Sequence, residues 1–101
     1  MLVLGIESSC DETAAAVLDE KGTIRANVVN SQIAVHERFG GVVPEIASRH
    51  HLKNILPVVN RSLADAGAGL DDIGLVAATR GPGLVGALLV GYSFARALAF
   101  G

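Results

Sequence analysis

A dense polar segment between two apolar runs is the feature that most constrains how this chain can fold. The apolar residues 2–6 lead directly into the sequence ESSCDET at residues 7–13, and apolar sequence resumes at residues 14–18. Apolar runs of this length are typical of buried strands, so the polar segment joins two core strands and is held on a rigid scaffold. It contains neither Asn-Gly nor Asp-Gly, the usual pairs of a minimal hairpin turn. We call residues 7–13 the polar hairpin and expect it to do more than reverse the chain.

Composition restricts the class of protein. Half of the residues are hydrophobic and 18% are charged, which suits a chain that buries a core and argues against disorder. The formal net charge of −2 gives no overall basic surface for nucleic-acid binding. Cys10 is the single cysteine, so an internal disulfide is excluded and a reducing compartment is indicated. Residues 1–20 lack the pattern of a signal peptide, and we predict a cytoplasmic protein.

The hydrophobic pattern predicts four strands and two long helices in the order βββαβα. The predicted strands span 2–7, 13–19, 23–31 and 73–78, the helices span 44–67 and 84–100, and a loop spans 32–43. A meander followed by strand–helix alternation predicts a mixed sheet covered by helices, which is an α/β architecture. Such a unit occurs in the ribonuclease H-like fold and in actin-like proteins, but topology by itself assigns no function.

The helix predicted at residues 44–67 has recognisable ends. Pro44 is preorganised for the first helical position, Glu45 complements the helix dipole, and Gly67 ends the helix. Pro57 lies inside the pattern and is expected to kink the helix near residues 53–57. A single apolar stripe is predicted along it, made of Leu52, Ile55, Leu56, Val59, Leu63 and Ala66.

The helix predicted at residues 84–100 has almost no polar face. A helix that is apolar all round is buried on more than one side, and Ser93 and Arg96 make this one a poor membrane span. Gly86, Gly91 and Ala95 would let another helix approach closely. Two interpretations stay open: a core helix covered by further chain, or a subunit interface in which both long helices pair with two from a partner.

Two interpretations of the polar hairpin also stay open from its residues. In one, the main-chain N–H groups of residues 8–13 form an anion-binding nest. A metal ion would then offset the repulsion between a phosphate and the carboxylates of Glu7, Asp11 and Glu12. In the other, the side chains only cap their own backbone.

Other residues are weaker candidates for chemistry. Cys10 has no histidine near it in sequence, and a packing thiol is more common than a nucleophile. His36, His50 and His51 lack the spacing of a metal-binding pair, and His50 and His51 point about 100° apart on a helix, so one should face solvent. The RGPG sequence at residues 80–83 either brings its backbone close to a ligand or is a structural turn, and no Gly-Lys-Ser/Thr follows as in a P-loop.

Three segments together carry a resemblance to a known family. They are residues 5–13 (GIESSCDET), 40–49 (GGVVPEIASR) and 81–91 (GPGLVGALLVG). The chain resembles the N-terminal part of the TsaD family, and its bacterial branch in particular. These are tRNA N6-adenosine threonylcarbamoyltransferases, long described as O-sialoglycoprotein endopeptidases or glycoproteases. The resemblance implies an actin-like (ribonuclease H-like) fold of two lobes, with residues 1–101 as a truncated first lobe.

The resemblance further implies an acyltransferase and assigns roles to residues. The enzyme would move threonylcarbamoyl from threonylcarbamoyl-adenylate to N6 of the adenosine adjacent to the anticodon in tRNA. Asp11 and Glu12 would be catalytic, with Asp11 the stronger candidate. The substrate-binding residues would be Ser8, Ser9, Cys10, Gly81, Pro82 and Gly83. The full-length protein would take threonylcarbamoyl-adenylate or ATP as its ligand, and a divalent metal, iron or zinc, would help to hold the adenylate. The His-x-x-x-His ligands of that metal would lie beyond residue 101, so this chain alone is expected to be inactive.

The family also implies partners. A TsaB-like paralogue would pair with the helices at 44–67 and 84–100, tRNA would be the substrate of the full complex, and the isolated chain could form a homodimer through the same surface. We expect no membrane association.

Three rival functions are considered beside this one. A ribonuclease H-like nuclease or phosphotransferase would use Glu7 and Asp11 as metal ligands, but it needs further acids after the fourth strand, where Thr79 and Arg80 provide none. A noncatalytic TsaB-like subunit would keep both helices and need no ordered acidic hairpin. A protease has little support, because neither a nucleophile–base pair nor a zinc motif is visible.

Overall fold

The computed structural model describes residues 1–100 and contains the predicted order of strands and helices. The elements are β1 (Leu2–Glu7), β2 (Glu12–Asp19), β3 (Ile24–Ser31), α1 (Ile33–Glu37), α2 (Pro44–Ala66), a 3-10 turn (Leu70–Asp72), β4 (Ile73–Ala78) and α3 (Val85–Phe100). The predicted α/β architecture with two long helices is therefore confirmed.

The four strands form one mixed sheet in the order β3-β2-β1-β4. β1 is antiparallel to β2, with Leu4 opposite Val17, and parallel to β4, with Gly5 opposite Ala77. β2 and β3 are antiparallel, which completes the predicted meander. Because β1 and β4 run in the same direction, the segments that follow them leave the sheet at the same edge.

The core lies between one face of this sheet and the two long helices. Alternate residues of β1 and β2 point to that face, as the period of two requires, and both helices contact the sheet. The buried hydrophobic side chains of the core cluster are Leu4, Ile6, Ala15, Val17, Ala26, Ile55, Val58, Val59, Leu63 and Ala95.

The prediction of a loop throughout residues 32–43 was wrong in part, because α1 occupies Ile33–Glu37. A five-residue helix is too short to show a helical period in sequence. It is fixed by one local and one tertiary contact: Ser31 Oγ accepts from the N–H of Ile33, and the main-chain N–H of Gln32 donates to the carbonyl of Asp11 at 2.8 Å.

The ends of α2 agree with the sequence. Pro44 is the first helical residue, and Gly67 adopts a left-handed conformation with φ of 66° and donates its N–H to two carbonyls of the last turn. Pro57 lies inside α2, which continues through it. The kink expected near residues 53–57 stays a prediction.

The predicted apolar stripe of α2 was wrong in its composition. Leu52 and Leu56 are 66% and 54% exposed, whereas Ile55 is 5% exposed. The buried face consists of Ala47, His51, Ile55, Val58, Val59, Ser62 and Leu63. Three- and four-residue spacing is compatible with two adjacent stripes on one helix. The stripe that packs on the sheet includes His51 and Ser62, and Leu52 and Leu56 lie outside it.

The second long helix, α3, is buried on one side only within residues 1–100. That side carries Ala87, Gly91 and Ala95. Val85 and Leu89 on the rest of its surface are 75% and 56% exposed. The burial of this helix on further sides, expected from its composition, therefore needs more protein than these residues supply. No helix in the same part of the chain is long and apolar enough to span a membrane.

We predict that the neighbours Ile55 and Leu56 differ sharply in their contribution to stability. Ile55→Ala should lower the free energy of unfolding by about 2–5 kcal/mol, because it leaves a cavity in the core. Leu56→Ala should change it by no more than about 0.5 kcal/mol, since the side chain is exposed. Urea denaturation of the chain measures both, and equal losses would contradict the orientation of α2.

Candidate functional site

The polar hairpin leaves the sheet beside the segment that follows β4. The N–H of Thr79 donates to the carbonyl of Ile6 at 3.0 Å, and the Thr79 hydroxyl donates to Glu7 Oε2 at 2.6 Å. The other oxygen of Glu7, Oε1, accepts from the N–H of Ser9. The Glu7 carboxylate therefore joins the hairpin to the end of β4. Using the N–H of Ser9 in this way removes one donor from the predicted nest.

The loop at residues 80–83 packs directly against the hairpin. The N–H of Leu84 donates to the carbonyl of Ser9 at 2.7 Å. A Cβ placed on Gly83 would lie 2.5 Å from that same carbonyl oxygen, so only glycine allows this approach. The structure thus brings Gly83 and Ser9, two of the predicted substrate-binding residues, into contact, while Gly81 and Pro82 lie exposed in the same loop.

Ser8 is the residue of the hairpin that packs against α3. Its side chain is 2% exposed. The hydroxyl donates to the carbonyl of Ala87 at 2.6 Å and accepts from the N–H of Gly91 at 3.0 Å. A Cβ on Gly91 would lie 2.5 Å from Ser8 Oγ. Gly91, which was expected to allow close approach of another helix, instead allows close approach of the end of β1. Gly86 faces Ser48 of α2.

His51 holds the opposite side of the hairpin. It is fully buried on α2. Its Nδ1 is 2.7 Å from Thr13 Oγ1, and its Nε2 is 2.8 Å from the carbonyl oxygen of Cys10. His50 is partly exposed, which agrees with the expectation that the adjacent histidines point in different directions.

A second buried histidine fixes the loop that contains α1. His36 is 3% exposed and Gln32 is 1% exposed. His36 Nδ1 accepts from the N–H of Val43 at 3.2 Å, and its Nε2 is 2.8 Å from Gln32 Oε1. Gln32 Nε2 donates to the carbonyl of Ala47 at 3.4 Å. Together with the bond from Gln32 to Asp11, these contacts join α1, the start of α2 and the polar hairpin.

The carboxylates of Asp11 and Glu12 differ from the other acidic and hydroxyl groups of the hairpin. Among residues 1–100 neither carboxylate makes a hydrogen bond or an ion pair with another residue of the chain. Asp11 is partly exposed and Glu12 is exposed. Glu7, Ser8 and Thr13 are used inside the protein, so the acids free to meet a ligand are those at the tip.

Two groups of the hairpin have shifted pKa values. Burial alone would raise the pKa of Glu7, but the hydrogen bonds from Ser9 and Thr79 hold it below its ordinary value. Burial, and then the negative charge of Asp11, raise the pKa of the Cys10 thiol. Because the thiolate is the reactive form, this environment disfavours Cys10 as a nucleophile.

No group of three or more histidine, cysteine, aspartate or glutamate side chains suited to a metal ion occurs among residues 1–100. Asp11 and Glu12 are the free acids nearest the expected cleft, and two carboxylates do not complete a coordination shell. The described residues therefore do not by themselves fit the metal that the family resemblance implies.

Sequence reasoning missed the residues that hold the hairpin. The sequence pattern predicts that one of His50 and His51 faces solvent without saying which one is buried, and it places Gln32 and His36 in a loop. One signal was available: Ala47, His51, Ile55 and Val59 recur every four residues, which places His51 on the buried face of α2. No comparable sequence signal pairs Thr79 with Glu7, because they lie 72 residues apart.

The lowered pKa of Glu7 predicts a pH-dependent contribution to stability. A carboxyl group whose folded-state pKa is lowered stabilises the protein above its unfolded-state pKa, and this stabilisation is lost as the pH falls through the folded-state value. Glu7→Gln should therefore be less stable than the natural chain at neutral pH, and the difference should shrink as the pH falls below the ordinary value of 4.5.

Urea denaturation at a series of pH values measures this difference. Glu37→Gln is the matched control, because Glu37 is exposed on α1 and its replacement should have little effect at any pH. A Glu7→Gln deficit that stays constant down to strongly acidic pH would contradict a role for the ionised carboxylate.

Comparison with known proteins places this geometry in a family. A model of the TsaD family, tRNA N6-adenosine threonylcarbamoyltransferase, matches residues 23–101. The protein of that name from Moorella thermoacetica is 63% identical over 98 residues, which cover 97% of this chain and 29% of the relative. The one from Salinibacter ruber is 63% identical over 101 residues, all of this chain and 30% of the relative. The chain thus spans about 30% of the length of these relatives.

Solved structures support the fold independently. YeaZ from Pseudomonas aeruginosa superimposes with a TM-score of 0.74 at 24% identity, covering 99% of this chain and 40% of that one. This likeness confirms the actin-like, ribonuclease H-like arrangement predicted from the sequence. Since the family model covers more than half of the sequence, and two relatives are 63% identical over nearly all of it, the chain belongs to the TsaD family of tRNA N6-adenosine threonylcarbamoyltransferases.

Proposed function

We propose that this chain supplies one wall of the active site of a tRNA N6-adenosine threonylcarbamoyltransferase. The observation that carries the proposal is the division of polar groups in the hairpin: Glu7, Ser8 and Thr13 are bonded internally, whereas Asp11 and Glu12 are free at its tip. Family membership supports the reaction. Because the chain spans about 30% of its relatives, the activity belongs to the longer protein, and residues 1–101 alone should be inactive.

The proposed step is an acyl transfer from threonylcarbamoyl-adenylate. The N6 amine of the adenosine adjacent to the anticodon forms a bond to the carbamoyl carbon. The bond from that carbon to the phosphate oxygen breaks, which releases AMP. The proton lost by the amine goes to a carboxylate, for which Asp11 is the best candidate, with Glu12 beside it. Oriented acceptors suit this reaction, and a covalent enzyme intermediate is not needed.

The remaining site residues have binding or supporting roles in this proposal. The main chain around Ser9 and Cys10, together with Gly81, Pro82 and Gly83, forms the surface that faces the acyl phosphate. Ser8 was expected to bind substrate. Its buried hydroxyl is already used by α3, so we propose that it supports the hairpin from beneath.

The divalent metal, iron or zinc, belongs to the longer protein in this proposal. No cluster among residues 1–100 would hold it, so its ligands would come from residues outside this chain. When bound, such an ion would polarise the acyl phosphate. The proposed roles of Asp11 and Glu12 are to orient the substrate and to accept a proton. We expect the protein to act in the cytoplasm.

We further propose that α2 and α3 bind a TsaB-like paralogue. Between the helices lies an apolar groove of about 430 Å³, lined by Leu52, Ile55, Leu89, Val90, Ser93 and Phe94. Leu52 and Leu89 are 66% and 56% exposed. Exposed apolar side chains concentrated along two neighbouring helices are typical of an interface between helices of two subunits. A second copy of this chain is the other possible occupant.

A noncatalytic TsaB-like subunit is the second candidate function, because the chain shares its fold with a solved structure, YeaZ from Pseudomonas aeruginosa, as well as with its own family. At 24% identity that likeness concerns the fold alone. The two functions differ in what they require of Asp11: a catalytic subunit needs its carboxylate, whereas an assembly subunit does not.

We predict that Asp11→Ala in the full-length protein lowers the rate of threonylcarbamoyl transfer to tRNA by about 100-fold or more, the usual effect of removing a positioned acid or base. Binding of the TsaB-like partner should be unchanged, because the Asp11 carboxylate makes no hydrogen bond or ion pair within residues 1–100 and does not line the helix groove. Transfer of radiolabelled threonine to tRNA and analytical gel filtration measure the two properties.

Glu37→Ala is a matched control for removal of an exposed carboxylate, and it should keep full activity. Full activity of Asp11→Ala would contradict the catalytic role and favour the assembly subunit. Transfer catalysed by residues 1–101 alone would contradict the proposal that the longer protein is required.

We predict that Leu89→Glu weakens binding of the TsaB-like partner at least tenfold, because a carboxylate would be desolvated in an apolar contact. Ile24→Glu is the control, since Ile24 is 63% exposed at the start of β3 rather than on the helix pair. Isothermal titration of the full-length proteins measures both affinities. If Leu89→Glu binds the TsaB-like partner with unchanged affinity, the groove is not the binding site for that partner, whether or not the chain self-associates there.

A further inference from the structure

His51 contacts the hairpin at the residues on both sides of the two free acids. Its Nε2 lies 2.8 Å from the carbonyl oxygen of Cys10, immediately before Asp11, and its Nδ1 lies 2.7 Å from the hydroxyl of Thr13, immediately after Glu12. The side chain is fully buried and lies in the middle of α2. One rigid imidazole therefore spans the segment that carries both carboxylates.

The partners of His51 fix its tautomer. A carbonyl oxygen can only accept, so Nε2 carries the proton that is donated to Cys10. In the neutral ring Nδ1 is then an acceptor, and the Thr13 hydroxyl donates to it. Among the two neutral tautomers only Nε2–H satisfies both bonds; a doubly protonated ring would also make both, with the Thr13 hydroxyl accepting. The ring is thus held in one orientation, and it holds the two ends of the segment at a fixed separation.

Besides His51, two main-chain contacts restrain this segment within residues 1–100, and one of them is the pairing of Glu12, the first residue of β2, with Ser31 of β3. The carbonyl of Asp11 accepts from the N–H of Gln32 at 2.8 Å, while neither free carboxylate is bonded. The direction of the Asp11 and Glu12 side chains consequently depends on how the backbone between Cys10 and Thr13 is held.

We propose that His51 is a positioning residue for threonylcarbamoyl transfer: it touches no substrate, and it orients Asp11 and Glu12 through Cys10 and Thr13. This inference rests on the proposed function. A displacement of about 1 Å in a catalytic group can cost on the order of 100-fold in rate, so loss of these bonds should lower kcat. KM for the adenylate should change little, because Cys10 is the one residue of the proposed binding surface that His51 contacts. Residues 80–83 are held through their neighbours Thr79 and Leu84, which bond to Glu7 and Ser9.

Two substitutions separate the two bonds of His51. In His51→Gln the amide nitrogen reaches about as far as Nε2 and can still donate to the Cys10 carbonyl. In His51→Asn the amide oxygen takes about the place of Nδ1 and can accept from Thr13, but it does not reach Cys10. Because the backbone contact restrains the segment more directly, we expect kcat to fall by about 10-fold in His51→Gln and about 100-fold in His51→Asn.

The experiment measures kcat and KM of the full-length protein with its TsaB-like partner, for these variants and for His50→Gln. His50 is the adjacent residue, is partly exposed and should give natural values. The 15N imidazole spectrum of the natural protein should show His51 as the neutral Nε2–H tautomer. Partial rescue of kcat by Gln relative to Asn, at near-constant KM, would support the positioning role.

Several outcomes would overturn it. These are natural kcat in both variants, equal losses in both, a rise in KM that accounts for the loss, or a His51 spectrum of the other tautomer. A purely structural role would lower melting temperature and partner binding in step with activity, so those two quantities are measured beside it. An inactive natural protein would instead refute the proposed function, and the tautomer and its response to Thr13→Val would still test the contacts of His51.

Discussion

The position of β1 in the centre of the sheet is the constraint on which the rest of this structure depends. Its antiparallel pairing with β2 makes the polar segment a hairpin, and its parallel pairing with β4 brings the loop at residues 80–83 to the same edge. Neither pairing alone would place Ser9 against Gly83. A site at the carboxyl ends of parallel strands is a general outcome of α/β sheets, and here it follows from one strand having two different neighbours.

A second consequence is the division of labour within the hairpin. Seven consecutive residues carry acidic, hydroxyl or thiol side chains, and buried polar groups require partners. α3 supplies them for Ser8, α2 for Thr13, and the end of β4 for Glu7. The groups left without partners within the described residues are at the tip. Catalytic groups must be held in a fixed position, and here bonded neighbours hold the backbone that carries the two free carboxylates.

The sequence allowed the order of elements along the chain, both long helices and the family to be predicted, because each rests on a local pattern or on a contiguous motif. Gly67 and Pro44 mark the ends of α2 by their own backbone preferences. The buried face of α2 was not predicted correctly, since His51 and Ser62 lie inside while Leu52 and Leu56 lie outside. Hydrophobicity cannot identify a histidine whose burial is offset by two hydrogen bonds. The contact between Thr79 and Glu7 depends on the parallel pairing of β4 with β1, which no local pattern specifies.

Ser8 has a consequence for how α3 can move. Its hydroxyl contacts the carbonyl of Ala87 and the N–H of Gly91, which are the two partners of a single i→i−4 step of an α-helix. The helix is thereby keyed to the strand at one turn: a slide or rotation by a single residue would break both bonds. The opposite side of α3 is exposed and apolar, so a partner bound to that side would be linked to the acidic hairpin through Ser8 and through the bond from Leu84 to Ser9.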